Sequence, residues 1–304
     1  MSVRITALTD PDETSSSRRL AWLASDADGS PVGSAFLRLF TKEGQQHLAE
    51  LDIQVHPAER RKRIGTQLLA AAAAAAHEDG RRSIVAQVQD GTPGPGFLAA
   101  GGFRIALTLT YARLALADAD LPSLTAIAET PPADYRLTAW EGHVPDELAD
   151  TYVASRRAMD DMPMGTVDYG TVVWDVERIR AAAAAVEARG EILYTVAAVD
   201  RSDGSVAGFT ELVVPGSGTG DALHYGTAVL AEHRGHGLAR WMKAAAILAA
   251  RESHPELGGL LTDTADNNPY MRRVNDTLGY LPTHVAYECQ LDLQDAPALG
   301  PAGR

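Results

Sequence analysis

Arg234, Gly235, His236 and Gly237 occupy successive positions in VLAEHRGHGLARWMKAA, between a run of alternating apolar residues and an amphipathic run. That combination suits an oxyanion such as a pyrophosphate. A helix N-terminus presents unpaired N–H groups and about half a positive charge. Gly235 and Gly237 let the backbone approach where a Cβ would obstruct. Arg234 can add a charge-assisted hydrogen bond. A tight strand-to-helix turn would use the same glycines, so the loop alone leaves both readings open. No Gly-Lys-Ser/Thr follows and the three-glycine dinucleotide spacing is absent.

The elements that must position this loop are legible around it. After Gly237 the apolar positions Leu238, Trp241, Met242, Ala245, Leu248 and Ala249 predict a helix with one buried face, Arg240 and Lys243 lying outside it. The pattern occurs twice. HLAELDIQVHPAERRKRIGTQLLAAAAAAAHEDGRRSIVAQV and ALHYGTAVLAEHRGHGLARWMKAAAILAARESHPELGGLLTDT each read as strand, Arg/Gly loop, helix and strand, and lead to the glycine–aromatic endings AAGGF and DTLGY. Repeats of this size predict two homologous domains rather than a solenoid. The expected boundaries are 1–118, a Pro- and acid-containing linker at 119–134, and 135–304. Within the second domain the sequence predicts a strand at YRLTAW, a helix at PDELADTYVASRRAM and another at DVERIRAAAAAVEARG ending at Gly190. A hairpin follows, ILYTVAAVD and VAGFTELVV joined through SDGS. The expected fold class is α/β (α+β).

RGHGLA, Arg234 to Ala239, resembles the Arg/Gln-x-x-Gly-x-Gly/Ala signature of the GNAT N-acetyltransferase superfamily, which binds the pyrophosphate of acetyl-coenzyme A. The resemblance extends through the preceding strand, the following helix and NNPYMRRVNDTLGY, over most of 205–290, and by element order over 136–204. The first copy matches at VHPAERRKRIGTQLL, so the chain is similar throughout to a tandem-GNAT protein. The resemblance implies two tandem GNAT domains, each a mixed, mostly antiparallel sheet flanked by helices. It also implies acetyl-CoA held by Val229, Leu230, Arg234, Gly235, His236, Gly237, Leu238, Ala239 and Asn268.

Both copies depart from the family pattern. In the first, RRKRIG puts Arg63 at the first glycine position, where a side chain crowds the loop, and Leu98 stands where the family carries a tyrosine acid. The stretch DGTPGPGF has too many Gly and Pro residues for a well-formed helix. This domain is expected to be a degenerate, structural copy, with coenzyme A binding left open. In the second copy Asn275 takes the tyrosine position. Asn275 is no ordinary proton donor, but its amide can hydrogen-bond the departing thiolate, and a thiol of unperturbed pKa near ~8.5 leaves readily. A helix residue bonded to nearby backbone is the plain alternative. Tyr270, or Tyr287 on the last strand, could replace the missing acid.

Acetyl transfer to an amine needs a neutral nitrogen, donors for the carbonyl oxygen and close placement of the reactants. The resemblance assigns the donors to backbone N–H groups around Val229 and Leu230. The favoured base is Glu211, which shares a strand face with Phe209 and Val213; a solvated strand residue, or one at the sheet's edge, is the plain alternative. His224 and Tyr225 are second choices, and each reads equally as a simple structural residue. Asp160 and Asp161 could hold an ammonium beside Met162 and Met164, although a solvated acidic turn reads the same way.

The bulk numbers bound these readings. The chain has 304 residues, 45% hydrophobic and 22% charged, with a formal net charge of −13. That fits two soluble domains. No apolar stretch is long enough to cross a bilayer and MSVRITALTD lacks a signal-peptide core, so a cytoplasmic protein without membrane partners is expected. The single cysteine, Cys289, excludes an intrachain disulfide. Scattered histidines predict no metal site. Nucleic acid is an unsuitable partner for so acidic a chain, whereas a cationic amine suits it. The expected function is N-acetyl transfer from acetyl-CoA to a primary amine of a small cationic molecule by direct attack, in a monomer or homodimer. Detoxification or antibiotic resistance would suit such an acceptor. The rivals are another acyl-CoA or a mycothiol-synthase-like acceptor and, from a different class, a non-catalytic coenzyme A sensor or interaction module.

Overall fold

The computed structural model describes residues 3–9 and 17–294. In chain order the elements are β1 (Arg4–Leu8), β2 (Ser17–Ser25), β3 (Pro31–Phe40), β4 (Leu48–Val55), α1 (Ile64–Glu78), β5 (Ser83–Gln89), α2 (Gly94–Ala100) and β6 (Arg104–Ala115). There follow α3 (Leu121–Ala128), β7 (Tyr135–Glu141), α4 (Asp146–Ser155), α5 (Val176–Ala188), β8 (Glu191–Asp200), β9 (Val206–Pro215) and β10 (Gly220–Val229). The chain then forms α6 (Leu238–Ser253), β11 (Leu257–Ala265), α7 (Pro269–Thr277) and β12 (Leu281–Asp292). The α/β class expected from the sequence is present, with mostly antiparallel sheet and flanking helices. Among the described residues no helix is long and apolar enough to cross a membrane.

Two compact units form, and neither is contiguous in sequence. The first takes the chain up to Leu109, Met164–Val173 and the segment from Val285; the second takes Thr110–Pro163 and Trp174–His284. The linear division at 1–118, 119–134 and 135–304 therefore differs from the packing. In the first unit the strand order is β1-β2-β3-β4-β5-β12-β6. The last strand of the chain enters it by antiparallel pairing of Ala286–Asp292 with Gln89–Ser83. In the second the order is β6-β11-β10-β9-β8-β7. β4 pairs with β5, and β10 with β11, in parallel.

The first core lies between α1 and its sheet. The alanine-rich α1 has high intrinsic helix propensity and buries Leu68, Leu69, Ala72 and Ala76 against Leu37, Leu39, Leu51 and Ile84. Cys289 and Leu291 of β12 belong to this same core, and burial, with Glu288 nearby, pushes the Cys289 thiol up. The first copy has only residues 9–16 between β1 and β2, where the second copy places α4 and α5. Residues 164–173 pack onto the first unit instead. Thr166 N–H donates to the Ala106 carbonyl at 2.9 Å, Thr171 N–H to that of Gly44 at 3.2 Å, and Asp168 N–H to Gln290 Oε1 at 2.9 Å.

Three local expectations are corrected. The supposed linker holds α3, capped by Asp120 accepting from Ser123 N–H, with Leu124 buried against α6 and the Trp241 indole donating to the Ala128 carbonyl at 2.9 Å. Its apolar positions had no long periodicity because the helix is only two turns. The Gly/Pro-rich stretch forms α2, because its prolines stand at the start and Gly101 just past the end, where neither breaks a helix. On α6, Lys243 is buried and Ala249 exposed. A helix this rich in alanine has a shallow apolar stripe, and α3 together with the sheet covers more of it than one face.

Leu291→Ala should lower stability by about 2–5 kcal/mol as a core truncation. Hydrogen exchange should show the loss of protection in β3–β5 rather than β8–β10.

Candidate active site

In the second unit β10 pairs with β11 only from Gly220 to Leu223, against Leu257 to Leu261, with a register shift after Gly220. β10 continues to Val229 paired with β9 alone, so the two parallel strands fork. Leu230 then leads through the short turn Ala231–His233 into the loop. The Arg234 guanidinium donates through Nε to the Val229 carbonyl at 3.1 Å and through Nη2 to Asp161 Oδ2 at 3.0 Å. Gly235 and Gly237 have φ of 87° and 76°, a region glycine enters without cost. A Cβ at Gly235 would meet nothing within 4 Å, so the dihedral rather than lack of room calls for glycine. Gly237 is the N-cap of α6 and no side chain caps that helix, which leaves its first N–H groups for an outside acceptor.

The first unit repeats this path. β4 pairs with β5 only over Leu48–Glu50 and runs on to Val55. Arg60 Nε donates to the Val55 carbonyl at 3.2 Å, as Arg234 does to Val229. The two glycine positions are held by Arg61 (φ 68°) and Arg63 (φ 63°), which among the described residues are the non-glycine residues with left-handed backbone. Each such residue costs about 1–2 kcal/mol. The expected crowding by Arg63 is not seen: its side chain is exposed, the turn is kept, and α1 likewise has no side-chain cap.

The remaining sequence candidates are placed as follows. Leu238 is buried in the core, so only its backbone can meet a ligand, and Ala239 is half-buried. His236 is exposed, its ring 5.6 Å from that of Tyr135. Asn268 caps α7, accepting from Met271 N–H at 3.1 Å. Tyr270 is 80% exposed. Asp160 is exposed, Met162 half-buried, and Asp161 is joined to Arg234 across two half-exposed side chains.

Glu211 lies on a central strand, not at an edge, and is buried. Tyr152 donates to its Oε1 at 2.7 Å, Arg156 Nη1 to its Oε2 at 3.0 Å, and Arg156 Nη2 also to Oε1. The guanidinium sits 4.8 Å from the Tyr152 and Trp174 ring centres and 4.4 Å from that of Phe209. Burial works against the Arg156 charge, yet Glu211 and Tyr152 hold its pKa above the ordinary value. Burial and then Glu211 push the Tyr152 hydroxyl well up. Both carboxylate oxygens are thus committed to a structural ion pair, an arrangement the sequence reading did not consider. The available signal was Tyr152 and Arg156 four residues apart on one helix face.

A second polar cluster crosses the fork. Lys243 Nζ donates to Asn275 Oδ1 at 2.7 Å, and Asn275 Nδ2 donates to Thr264 Oγ1 at 2.9 Å on the free arm of β11. Lys243 also lies 4.9 Å from the centre of the Tyr280 ring. His224, the first residue of β10 past the pairing, hydrogen-bonds the Tyr280 hydroxyl at 2.8 Å. Burial, then the Lys243 charge, lower the His224 pKa well below the usual value, and burial raises that of Tyr280. Among the described residues no group of three or more His, Cys, Asp or Glu could hold a metal ion.

Residues 5–94 match the family described as Acetyltransferase (GNAT) family. A tandem GNAT protein from the clavulanic acid biosynthesis pathway, solved without AcCoA, is 26% identical, with a TM-score of 0.76 over 94% of this chain and 86% of that one. The chain has the fold of a tandem GNAT protein. A GCN5-related N-acetyltransferase from Sphaerobacter thermophilus shares that fold at 13% identity, with a TM-score of 0.65 over 91% of this chain and 81% of its own. No curated protein matches the chain in sequence. The GNAT match falls on the copy whose loop carries arginines at the glycine positions, and the fold supports acyl transfer as the general chemistry.

Two outcomes test these clusters. Glu211→Leu alone should cost about 3–5 kcal/mol by stranding the buried Arg156 charge, and adding Arg156→Met should restore most of it in denaturant titrations. Lys243 has its pKa lowered by burial from 10.5 to about 7, with Asp263 opposing. Its burial cost is therefore full below pH about 7 and is relieved as pH rises toward 10.5, because the unfolded chain then holds the extra proton. Wild type should gain stability relative to Lys243→Leu across that window.

Proposed function

We propose that the second unit of this tandem GNAT protein transfers an acetyl group from acetyl-CoA to the primary amine of a small cationic molecule. The observation that carries the reading is the fork between β10 and β11, ending at a helix whose first turn is uncapped and entered through left-handed glycines. The residues fit an acyl-CoA. The pyrophosphate would lie on the N–H groups of Gly235, His236, Gly237, Leu238 and Ala239, with Arg234 beside it. The open arm of β10 at Val229 would receive the extended pantetheine, whereas the Leu230 N–H is taken, donating to the Ala207 carbonyl at 2.9 Å. Bound there, acetyl-CoA supplies the activated carbonyl.

The chain's own residues then bind and orient. A pyrophosphate on Arg234 displaces Asp161, since an exposed ion pair contributes little. The freed carboxylate, with Asp160 and Met162, receives the acceptor's cationic end. Backbone N–H groups of the fork meet the carbonyl oxygen as it gains charge. The nitrogen attacks directly and its surplus proton goes to water. Glu211, held by Arg156 and Tyr152, keeps the strand floor in place rather than taking that proton. A cytoplasmic setting belongs to the same proposal.

A second reading is favoured by one observation in the first unit. Arg61 and Arg63 hold a strained backbone within four consecutive cations, Arg60–Arg63, above an uncapped helix. Strain of this kind persists where a site needs it. The first unit then also binds coenzyme A. With Leu98 at the acid position and only residues 9–16 between β1 and β2, it does not transfer.

Isothermal titration calorimetry with acetyl-CoA on wild type, Arg63→Glu and Gly237→Glu checks both readings. Two sites in wild type, one lost with each variant, and amine acetylation abolished only by Gly237→Glu are the expected results. Loss of acetylation with Arg63→Glu alone would move the transfer to the first unit, and no binding by wild type would end the acetyl-CoA reading.

A further inference from the structure

The repeat allows the two forks to be compared position by position. The sixth residue of α1 is Leu69 and the sixth of α6 is Lys243. Five residues before the aromatic of the glycine–aromatic ending stand Leu98 and Asn275, and the aromatics themselves are Phe103 and Tyr280. In the first unit all three positions are apolar and packed into the core. In the second all three are polar, yet buried to 1%, 4% and 2% exposure. Three matched exchanges among side chains in mutual contact mark a unit with a shared role. A buried ammonium is retained here although well-packed leucine is the alternative used elsewhere in the same chain.

Donor chemistry gives that role. An ammonium has three N–H donors and no acceptor, whereas a side-chain amide has a carbonyl end and an NH2 end. In its protonated form Lys243, at 2.7 Å, therefore draws the Asn275 oxygen toward itself and turns the NH2 end away from α6. That end carries two hydrogens and gives one to Thr264, three residues past Leu261, where β11 leaves β10. On the opposite arm His224 fixes the Tyr280 hydroxyl. The amide thus joins α6 to the free arm of β11, with its donor end on the β11 side.

We propose that Lys243 is a positioning residue for acyl transfer, locking Asn275 as a hydrogen-bond donor toward a thiolate that leaves within the second fork. This rests on the reading that acetyl-CoA enters that fork. In the step it serves, the nitrogen lone pair forms the C–N bond, the C–S bond breaks, and sulphur leaves with the bonding pair. The Asn275 N–H donates a hydrogen bond to that thiolate without transferring its proton. Water supplies the proton that completes the thiol and accepts the one released by nitrogen. The ionisable groups facing Lys243 are His224 from β10, Tyr280 ahead of β12 and the carboxylate of Asp263 from β11. None forms an ion pair with it, so Asn275 is the partner its donors orient.

The test is the acidity of coenzyme A thiol bound to the full-length protein, followed by ultraviolet thiolate absorbance against pH. Subtracting the signal of Gly237→Glu isolates the second site. Lys243→Leu and Asn275→Leu should each lower the bound thiolate fraction near neutrality by about tenfold, the order expected for losing a donor to the charged form. The double variant should lower it no further, because the two act as one unit. The triple exchange Lys243→Leu, Asn275→Leu and Tyr280→Phe reproduces packing the first unit already uses and serves if a single variant does not fold. Coenzyme A bound by Lys243→Leu and by the triple exchange with an unchanged thiol titration would overturn the proposal alone. Calorimetry showing no coenzyme A at the second site of wild type would overturn the underlying reading with it.

Discussion

A β-strand cannot leave its backbone groups unpaired in the interior without cost, and the parting of β10 from β11 after Leu223 creates that situation by design of the register. Much of the second unit answers this constraint. The open arm of β10 is supported from the other side by pairing with β9 as far as Val229, with a register shift between His224 and Gly226, and β9 pairs in turn with β8. The loop beyond the arm turns through left-handed glycines so that α6 begins where the strand ends. A strand edge and a helix start, both with donors to offer, are thereby brought to one place. An extended, anionic acyl carrier satisfies both.

Two buried ionic clusters frame that opening and are built on different principles. Around Glu211 the charges are paired within the structure, and aromatic rings enclose the guanidinium. Such a pair contributes geometry more than stability, since losing one partner is far worse than replacing both. Around Lys243 the charge has no carboxylate in contact and is held by an amide and an aromatic face. Desolvation without a counter-ion moves the lysine into the neutral pH range. The first cluster holds the floor of the sheet; the second sets the direction of a polar group.

The two copies show how one backbone accommodates different side chains. Arg61 and Arg63 follow the path that Gly235 and Gly237 follow, at a cost of about 1–2 kcal/mol each. The apolar trio under the first fork and the polar trio under the second occupy corresponding helix and loop positions. The backbone path of the fork and its loop is common to both copies, and the chemistry beneath each fork is set by side chains.

The repeat, the strand–loop–helix order and the anion loop at Arg234–Gly237 were legible in the sequence because each depends on residues close together in the chain. Periodicity of two and of about three and a half, and the need for glycine at left-handed φ, are local properties. Asn275 at its position five before Tyr280 was legible for the same reason. The partners of these residues were not. Glu211 is joined to Arg156 across 55 positions and Lys243 to Asn275 across 32, and neither pair leaves a mark in local spacing. α3 read as linker because two turns carry too little period to register, and β12 was assigned to its own copy although its pairing completes the other unit. Strand alternation states which residues share a face but not which strand lies alongside. Only the tertiary structure chose the neighbours, because that choice depends on which apolar faces bury each other once the whole chain is folded.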